Sequence, residues 1–400
     1  MKSDKTIVLK ESNIAEILRS TGIRNRELVE DFLRLVLISS PSRFEAGVAH
    51  YVKQKLKGIG VESHFDDAKE KTGGNCGNLI ASIGSGKPVL LFVAHMDTVQ
   101  KEGEKVTPVV RRGMITSSGD TILGSDDKAG VACLLDAIRQ LNGRGDIPET
   151  LFVFSTSEEG GVAAMGLSYA KIESAVDFAF SVDGSRRPGT FWDRAMGSLC
   201  FKIAITGKGA HAELAPEKGA NAIKAAGIFI ERLRIGKNAD GSMLNISNIS
   251  GGAPTVGVVP AEVVLLGELG GFSDMAMRKI KVHVGETAAA ACLETGCTPS
   301  IEWDDKDVIR PFALDKRSGI LSLVRKATRL AGLRFSAQTL QTSSEVNVLG
   351  ALGYNAIGVC RGGRNAHSVD EHISIKELED SSRLVVSIIE QAGKSNYLRK

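Results

Sequence analysis

Three short apolar runs that end in acidic or imidazole side chains constrain this chain more than any other feature. Val89-Leu-Leu-Phe-Val-Ala-His-Met-Asp97 ends in His95 and Asp97. Leu151-Phe-Val-Phe-Ser-Thr-Ser-Glu-Glu159 ends in Glu158 and Glu159, and Phe178-Ala-Phe-Ser-Val-Asp183 ends in Asp183. A fourth stretch, Gly124-Ser-Asp-Asp-Lys-Ala-Gly130, sets Asp126 and Asp127 just ahead of a helical pattern. Runs that are apolar throughout suit strands buried on both faces, which is the habit of parallel sheets. Ligands in open α/β sheets bind outside the carboxyl ends of the strands. The pattern therefore predicts an α/β fold in which several strands deliver polar groups to one sheet edge.

With 400 residues, the chain exceeds the roughly 250–300 that one hydrophobic core supports, so two domains are expected. From 78 to 190, strand-like and helix-like segments alternate, the pattern of crossover units on a mostly parallel sheet flanked by helices. Ahead of them, Val29–Leu37 is amphipathic, and Ser42 with Glu45 reads as a capping box for a helix ending near Gly58. The style changes near 192–198. Strand-like 199–206, a helix opened by Pro216, strand-like 263–268, a helix from Asp274 to Thr295 and a strand from Cys297 to Trp303 form an α+β, ferredoxin-like set. The α/β style resumes near 305, with helix 317–331, strand 355–360 and helix 376–392. The expected division is a discontinuous catalytic domain, 1–193 plus 305–400, carrying an inserted lid and dimerisation domain, 194–304.

Fifty basic and 47 acidic residues nearly balance at +3, and no Lys/Arg block suggests a nucleic-acid footprint. No apolar run reaches the roughly 18 residues of a membrane span. Met1–Lys10 has no signal-peptide core, and six scattered cysteines lack the density of a disulfide scaffold. The expectation is a cytoplasmic protein with no nucleic-acid or membrane partner.

His95, Asp126, Glu158, Glu159, Asp183 and His367 read together as a two-metal site. Divalent ions such as zinc take imidazole nitrogens and carboxylate oxygens, and two ions ~3.5–4 Å apart need a shared carboxylate. Two histidines and three of these four carboxylates give each ion two terminal ligands plus the bridge. Taken singly, each residue has a plain structural reading: a core histidine at a strand end, a solvated acidic pair, an ordinary helix N-cap. Their joint placement after strands is what argues for a metal site.

The motifs His-Met-Asp-Thr-Val (95–99), Gly-Ser-Asp-Asp-Lys-Ala-Gly (124–130), Ser-Glu-Glu-Gly (157–160), Val-Asp-Gly (182–184) and Asn-Ala-His-Ser-Val-Asp-Glu (365–371) resemble the M20 family of di-zinc metallopeptidases. The resemblance covers roughly residues 30–395 and is nearest the branch of tripeptide aminopeptidases called peptidase T. It implies that Asp126 bridges two zinc ions, with His95 and Asp183 completing one site and Glu159 and His367 the other. Cobalt or manganese suits the same ligands. It implies Glu158 as the general base toward a metal-bridged hydroxide, and Asp97 as the carboxylate that fixes the His95 tautomer. His211, in Gly207-Lys-Gly-Ala-His211, is similar to a family histidine that stabilises the oxyanion from the partner subunit, which implies a homodimer built through the lid.

The chain departs from the family at Gly257 and Gly270, where an asparagine and an arginine commonly hold a substrate carboxylate. Arg186, Arg187, Arg361 or Arg364 is then the candidate replacement cation, and Glu345 stands where the family often has aspartate. The activity expected is aminopeptidase action on small peptides, tripeptides above all. The alternatives are an N-acyl amino-acid deacylase or amidohydrolase on the same scaffold, and a catalytically silent relative.

Overall fold

A computed structural model describes residues 7–8, 14–19, 22–160, 165–172, 174–253 and 255–394. It divides into two compact units: 1–193 with 313–339 and 344–400, and 194–312 with 340–343.

The first unit is built on a large sheet. Its centre is four parallel strands in the spatial order Ala356–Val359, Phe178–Ser181, Leu90–His95 and Thr150–Ser155. Antiparallel Leu79–Ile83 and Ser63–Phe65 extend one flank, and Thr190–Ala195 the other. Leu90–His95 and Thr150–Ser155 are buried at every position, as their mostly apolar sequences require. Phe92 lies between Phe180 and Phe152, at centroid distances of 4.6 and 5.9 Å. Such offset aromatic pairs add about 0.5–1.5 kcal/mol each beyond area burial, so the stack fixes the three strands side by side.

The strand order reverses at Leu90–His95. The chain leaves it through the helix Ser125–Leu141 to Thr150–Ser155 on one side, and reaches Phe178–Ser181 on the other. This is the topological switch point, where an open α/β sheet leaves a crevice. The helices Arg26–Leu37, Ser125–Leu141 and Ile375–Lys394 pack against one another. The first is capped by Asn25, whose Oδ1 accepts from the Leu28 N–H at 3.1 Å. A small second sheet includes the pairs Pro108–Arg111 with Met114–Ser117, and Met114–Ser117 with His372–Ser374.

The second unit has a core of its own, from Leu199 to Cys297. Its antiparallel sheet runs Met243–Gly251, Glu262–Gly271, Gly197–Thr206, Thr298–Trp303, with Gly236–Lys237 at one edge. The helices Ala222–Arg232 and Asp274–Thr295 complete a β-α-β-β-α-β order. Two local expectations fail. Pro216 opens only the short 3-10 turn Pro216–Lys218, and the helix starts after Asn221, whose side chain accepts from Lys224 N–H at 3.0 Å. Ser42 caps nothing: its helix begins at Ala46, and the hydroxyl donates to Asp97 Oδ2 at 2.6 Å instead. The unit also continues past 304 to Phe312, where Ile309 bridges to Ser198. Among the described residues no helix is long and apolar enough to cross a membrane.

Candidate metal centre

The four parallel strands point their carboxyl ends the same way, and each ends in a charged or imidazole group or reaches one within four residues. His95 closes its strand, Glu158 and Glu159 follow Ser155, Asp183 follows Ser181, and Arg361 follows Val359. The remaining groups come from two loops. Gly124, in the left-handed region at φ 74°, turns the chain into the Ser125–Leu141 helix, whose first residues Asp126 and Asp127 have non-helical backbone. His367 lies in a loop closed by paired hydrogen bonds between Arg364 and His372.

Three groups of metal-binding atoms result, each with its atoms within 4.8 Å of one another: His95, Asp126 and Asp183; Asp126, Glu159 and His367; and His95, Glu158 and Glu159. Asp126 is common to the first two, one oxygen toward each histidine. Its Oδ1 is 3.7 Å from His95 Nε2, and its Oδ2 is 3.4 Å from His367 Nε2. His367 Nε2 also meets Glu159 Oε1 at 2.6 Å.

Asp97 organises the opposite side. Its main-chain carbonyl and its Oδ1 lie 3.1 and 3.3 Å from His95 Nδ1. With two acceptors there, Nδ1 carries the proton and Nε2 faces the donor groups. The same carboxylate accepts from the Glu158 and Glu159 N–H groups at 3.0 and 2.9 Å. It thus fixes both strand ends.

Glu371 is a second organiser that the sequence reading passed over. Wholly buried, it accepts from the Leu123, Gly124 and Asp126 N–H groups and from Ser125 Oγ, at 2.8, 2.7, 3.0 and 2.7 Å. It lies four residues beyond His367 and so ties the His367 loop to the Asp126 loop. Ser157, Asn365 and His367 hold positive φ of 59°, 56° and 64°, a conformation of which non-glycine residues hold few. Bonds such as Ser157 N–H to Glu45 Oε1, at 2.9 Å, keep them there.

The electrostatics call for cations. Burial, with Asp126 beside it, pushes Asp183 up to about 7. Burial and neighbouring carboxylates raise the Glu158 carboxyl well above its ordinary range, against the pull of His95. Hydrogen bonds to Asp126 and Glu159 lift His367 to about 10. Burial opposes ionisation of Asp126, yet Arg361 and the two imidazoles outweigh it and hold its carboxyl well below the usual range. A donor set of imidazole nitrogens and crowded carboxylates with this field fits divalent ions.

Arg361 is fully buried and pairs with Asp126 and Asp127, so no substrate reaches it. Arg364 pairs with Glu377 at 3.1 Å. Arg186 and Arg187 are exposed just beyond Asp183. Glu345 is buried, accepts from Ser155 Oγ, and leaves Oε2 without a partner. In the second unit, His211 Nδ1 accepts from the Glu213 and Leu214 N–H groups, both at 3.3 Å. Its Nε2 is then the protonated nitrogen. Gly257 has φ 85° and open space about it, whereas a Cβ at Gly270 would lie 2.9 Å from Met196 Cε.

Residues 91–391 match Peptidase family M20/M25/M40. The uncharacterized protein YqjE of Bacillus subtilis is 32% identical over 93% of this chain and 100% of its own length. The crystal structure of aminopeptidase PepT from Bacillus cereus is similar at TM-score 0.82 and 28% identity, covering 93% of this chain and all of that one. A tripeptidase structure from Staphylococcus aureus is similar at TM-score 0.86 and 26% identity, covering 94% of this chain and all of that one.

Proposed function

Since this chain belongs to the M20/M25/M40 peptidase family and is thereby a hydrolase of the metallopeptidase class, we propose that it is a two-zinc aminopeptidase that releases N-terminal residues from small peptides, tripeptides foremost. The observation that carries the reading is the sharing of Asp126 between two donor groups, with Glu158 close by but outside both. A binding module has no need of that extra carboxylate. The likeness to an aminopeptidase and a tripeptidase supports the substrate class.

In this reading His95, Asp126 and Asp183 would hold one ion, and Asp126, Glu159 and His367 the other. Two divalent ions there would supply Lewis acidity to a scissile carbonyl and to the attacking water. Glu158 takes the proton from that water and hands it to the leaving amine. Asp97 keeps His95 in the tautomer that presents Nε2. His211, with its proton on Nε2, donates to the developing oxyanion, and the homodimer built through the second unit is part of the same proposal. Six cysteines stand as free thiols, which supports the cytoplasm as the compartment.

The second reading on the same scaffold is an N-acyl amino-acid deacylase, whose substrates lack a free α-amino group; glycine at 257 and 270 does not decide between the two, since tripeptides and N-acyl amino acids both carry a free carboxylate. One experiment separates the two. A panel of tripeptides, dipeptides and N-acyl amino acids is incubated with zinc-loaded protein, alongside a chelated control. Chelator-sensitive release of N-terminal residues from tripeptides is expected. Turnover confined to acylated substrates transfers the proposal to the deacylase reading, and no turnover on any of them removes both.

A further inference from the structure

Among the described residues Arg361 has the largest side chain that is fully buried, and every nitrogen of its guanidinium has a partner. Nε donates to Asp127 Oδ1 at 2.8 Å, Nη1 to the Gly362 carbonyl at 2.7 Å, and Nη2 to Asp126 Oδ1 at 2.5 Å. One planar fork therefore spans two consecutive carboxylates, which a lysine, a point charge on a flexible stem, cannot do.

Among the described residues, the buried Asp127 side chain accepts one further hydrogen bond, from the Gly130 N–H at 3.2 Å, and its Oδ2 has no hydrogen-bond partner. The Nη2 N–H of the same fork is aimed at the carboxylate that two donor groups share. It reaches only Oδ1, the oxygen on the His95 side. Oδ2, on the His367 side, receives nothing from it.

We propose that Arg361 is a positioning residue that locks the Asp126 carboxylate through Oδ1, and so governs ion affinity at the His95–Asp126–Asp183 group rather than at the Asp126–Glu159–His367 group. This rests on the two-ion reading of the centre. Orientation, not charge, is the operative quantity. Arg361→Lys keeps a positive charge but not the planar fork, and so separates the two.

The test is calorimetric titration of the full-length, metal-free chain with Zn2+. Unaltered protein is expected to bind two ions, and fewer than two would remove the two-ion reading itself. Arg361→Lys and Arg361→Met are each expected to weaken one of the two ions by about 10–100-fold, the effect typical of losing a hydrogen bond to a metal ligand. On a His367→Ala background the loss should persist, and on an Asp183→Asn background it should vanish. Two intact sites that keep their affinities in a folded Arg361 variant overturn the inference. So does tighter binding in Arg361→Met, which would mean that the guanidinium acts only by repelling cations. Should the variants not fold, the unaltered chain labelled with 15N-arginine decides. The Arg361 guanidinium resonances should shift on the first equivalent of Zn2+, and unmoved resonances overturn the proposal.

Discussion

Glu371→Gln isolates what holds the Asp126 loop, because it keeps shape and changes only acceptor capacity. Oε2 serves the Leu123 and Gly124 N–H groups, and Oε1 serves Ser125 Oγ and the Asp126 N–H. A glutamine amide best places its NH2 on the Oε1 side, since the Ser125 hydroxyl can rotate and become the acceptor. The Asp126 N–H then faces a donor, at a cost of about 1–3 kcal/mol for an orphaned buried group. The two bonds kept at Leu123 and Gly124 lose their charged acceptor, about 1 kcal/mol each. Against this stands the relief of no longer burying a charge, so the expected net loss is about 2 kcal/mol. It should appear as a lower denaturant midpoint with unchanged slope in chelator. Because the broken bond is at Asp126 itself, zinc affinity should also fall by about tenfold. An unchanged midpoint together with an unchanged zinc titration would refute the idea that Glu371 braces this loop.

Glu158→Gln should cut turnover on the best peptide by about 10²–10⁴-fold, the range for a general base, with two zinc ions still bound by elemental analysis; undiminished kcat would take Glu158 out of that role. His211→Ala should lower kcat by about 10²–10³-fold without altering metal content or the melting temperature, and an effect on KM alone would speak against oxyanion contact. Chelation should lower thermal stability. Zinc at 100 times its dissociation constant contributes about 2.7 kcal/mol, and the difference between loaded and stripped protein should shrink in acid, where ligands bind protons instead. Equal melting temperatures with and without chelator near neutral pH would count against a built metal site.

The parts of the fold that could be read from sequence are those governed by local pattern. The runs ending at His95, Glu159 and Asp183 announce themselves because strands buried on both faces are apolar through most of their length. The helix Asp274–Thr295 appears at its expected bounds because Ser273 caps it and Gly296 terminates it in the left-handed region. What escaped depends on partners far away in sequence. Ser42 has the spacing of a cap, yet its hydroxyl goes to Asp97, 55 residues on. Pro216 has the look of a helix start, but Gly219 and the Asn221 cap delay the helix. Arg361 read as a free cation for substrate, although it follows an apolar run, Ala356–Val359, just as the candidate ligands do. That shared position was the available clue to where it points, and nothing local told that its partners lie 234 and 235 residues upstream.

The central strand Leu90–His95 has parallel neighbours on both sides, and those neighbours lead into Glu158, Glu159 and Asp183. Adjacent strands in any sheet are held ~4.8 Å apart by the repeat of backbone hydrogen bonding. The sheet is in this respect a ruler, and the spacing of the candidate ligands follows from a pitch that side-chain changes in the core do not alter. A centre gauged in this way can be passed unchanged among relatives while their substrates diverge. The freedom to diverge then lies in whatever is not ruled by the sheet: the exposed loop arginines after Asp183, and a second unit whose sheet and core are its own.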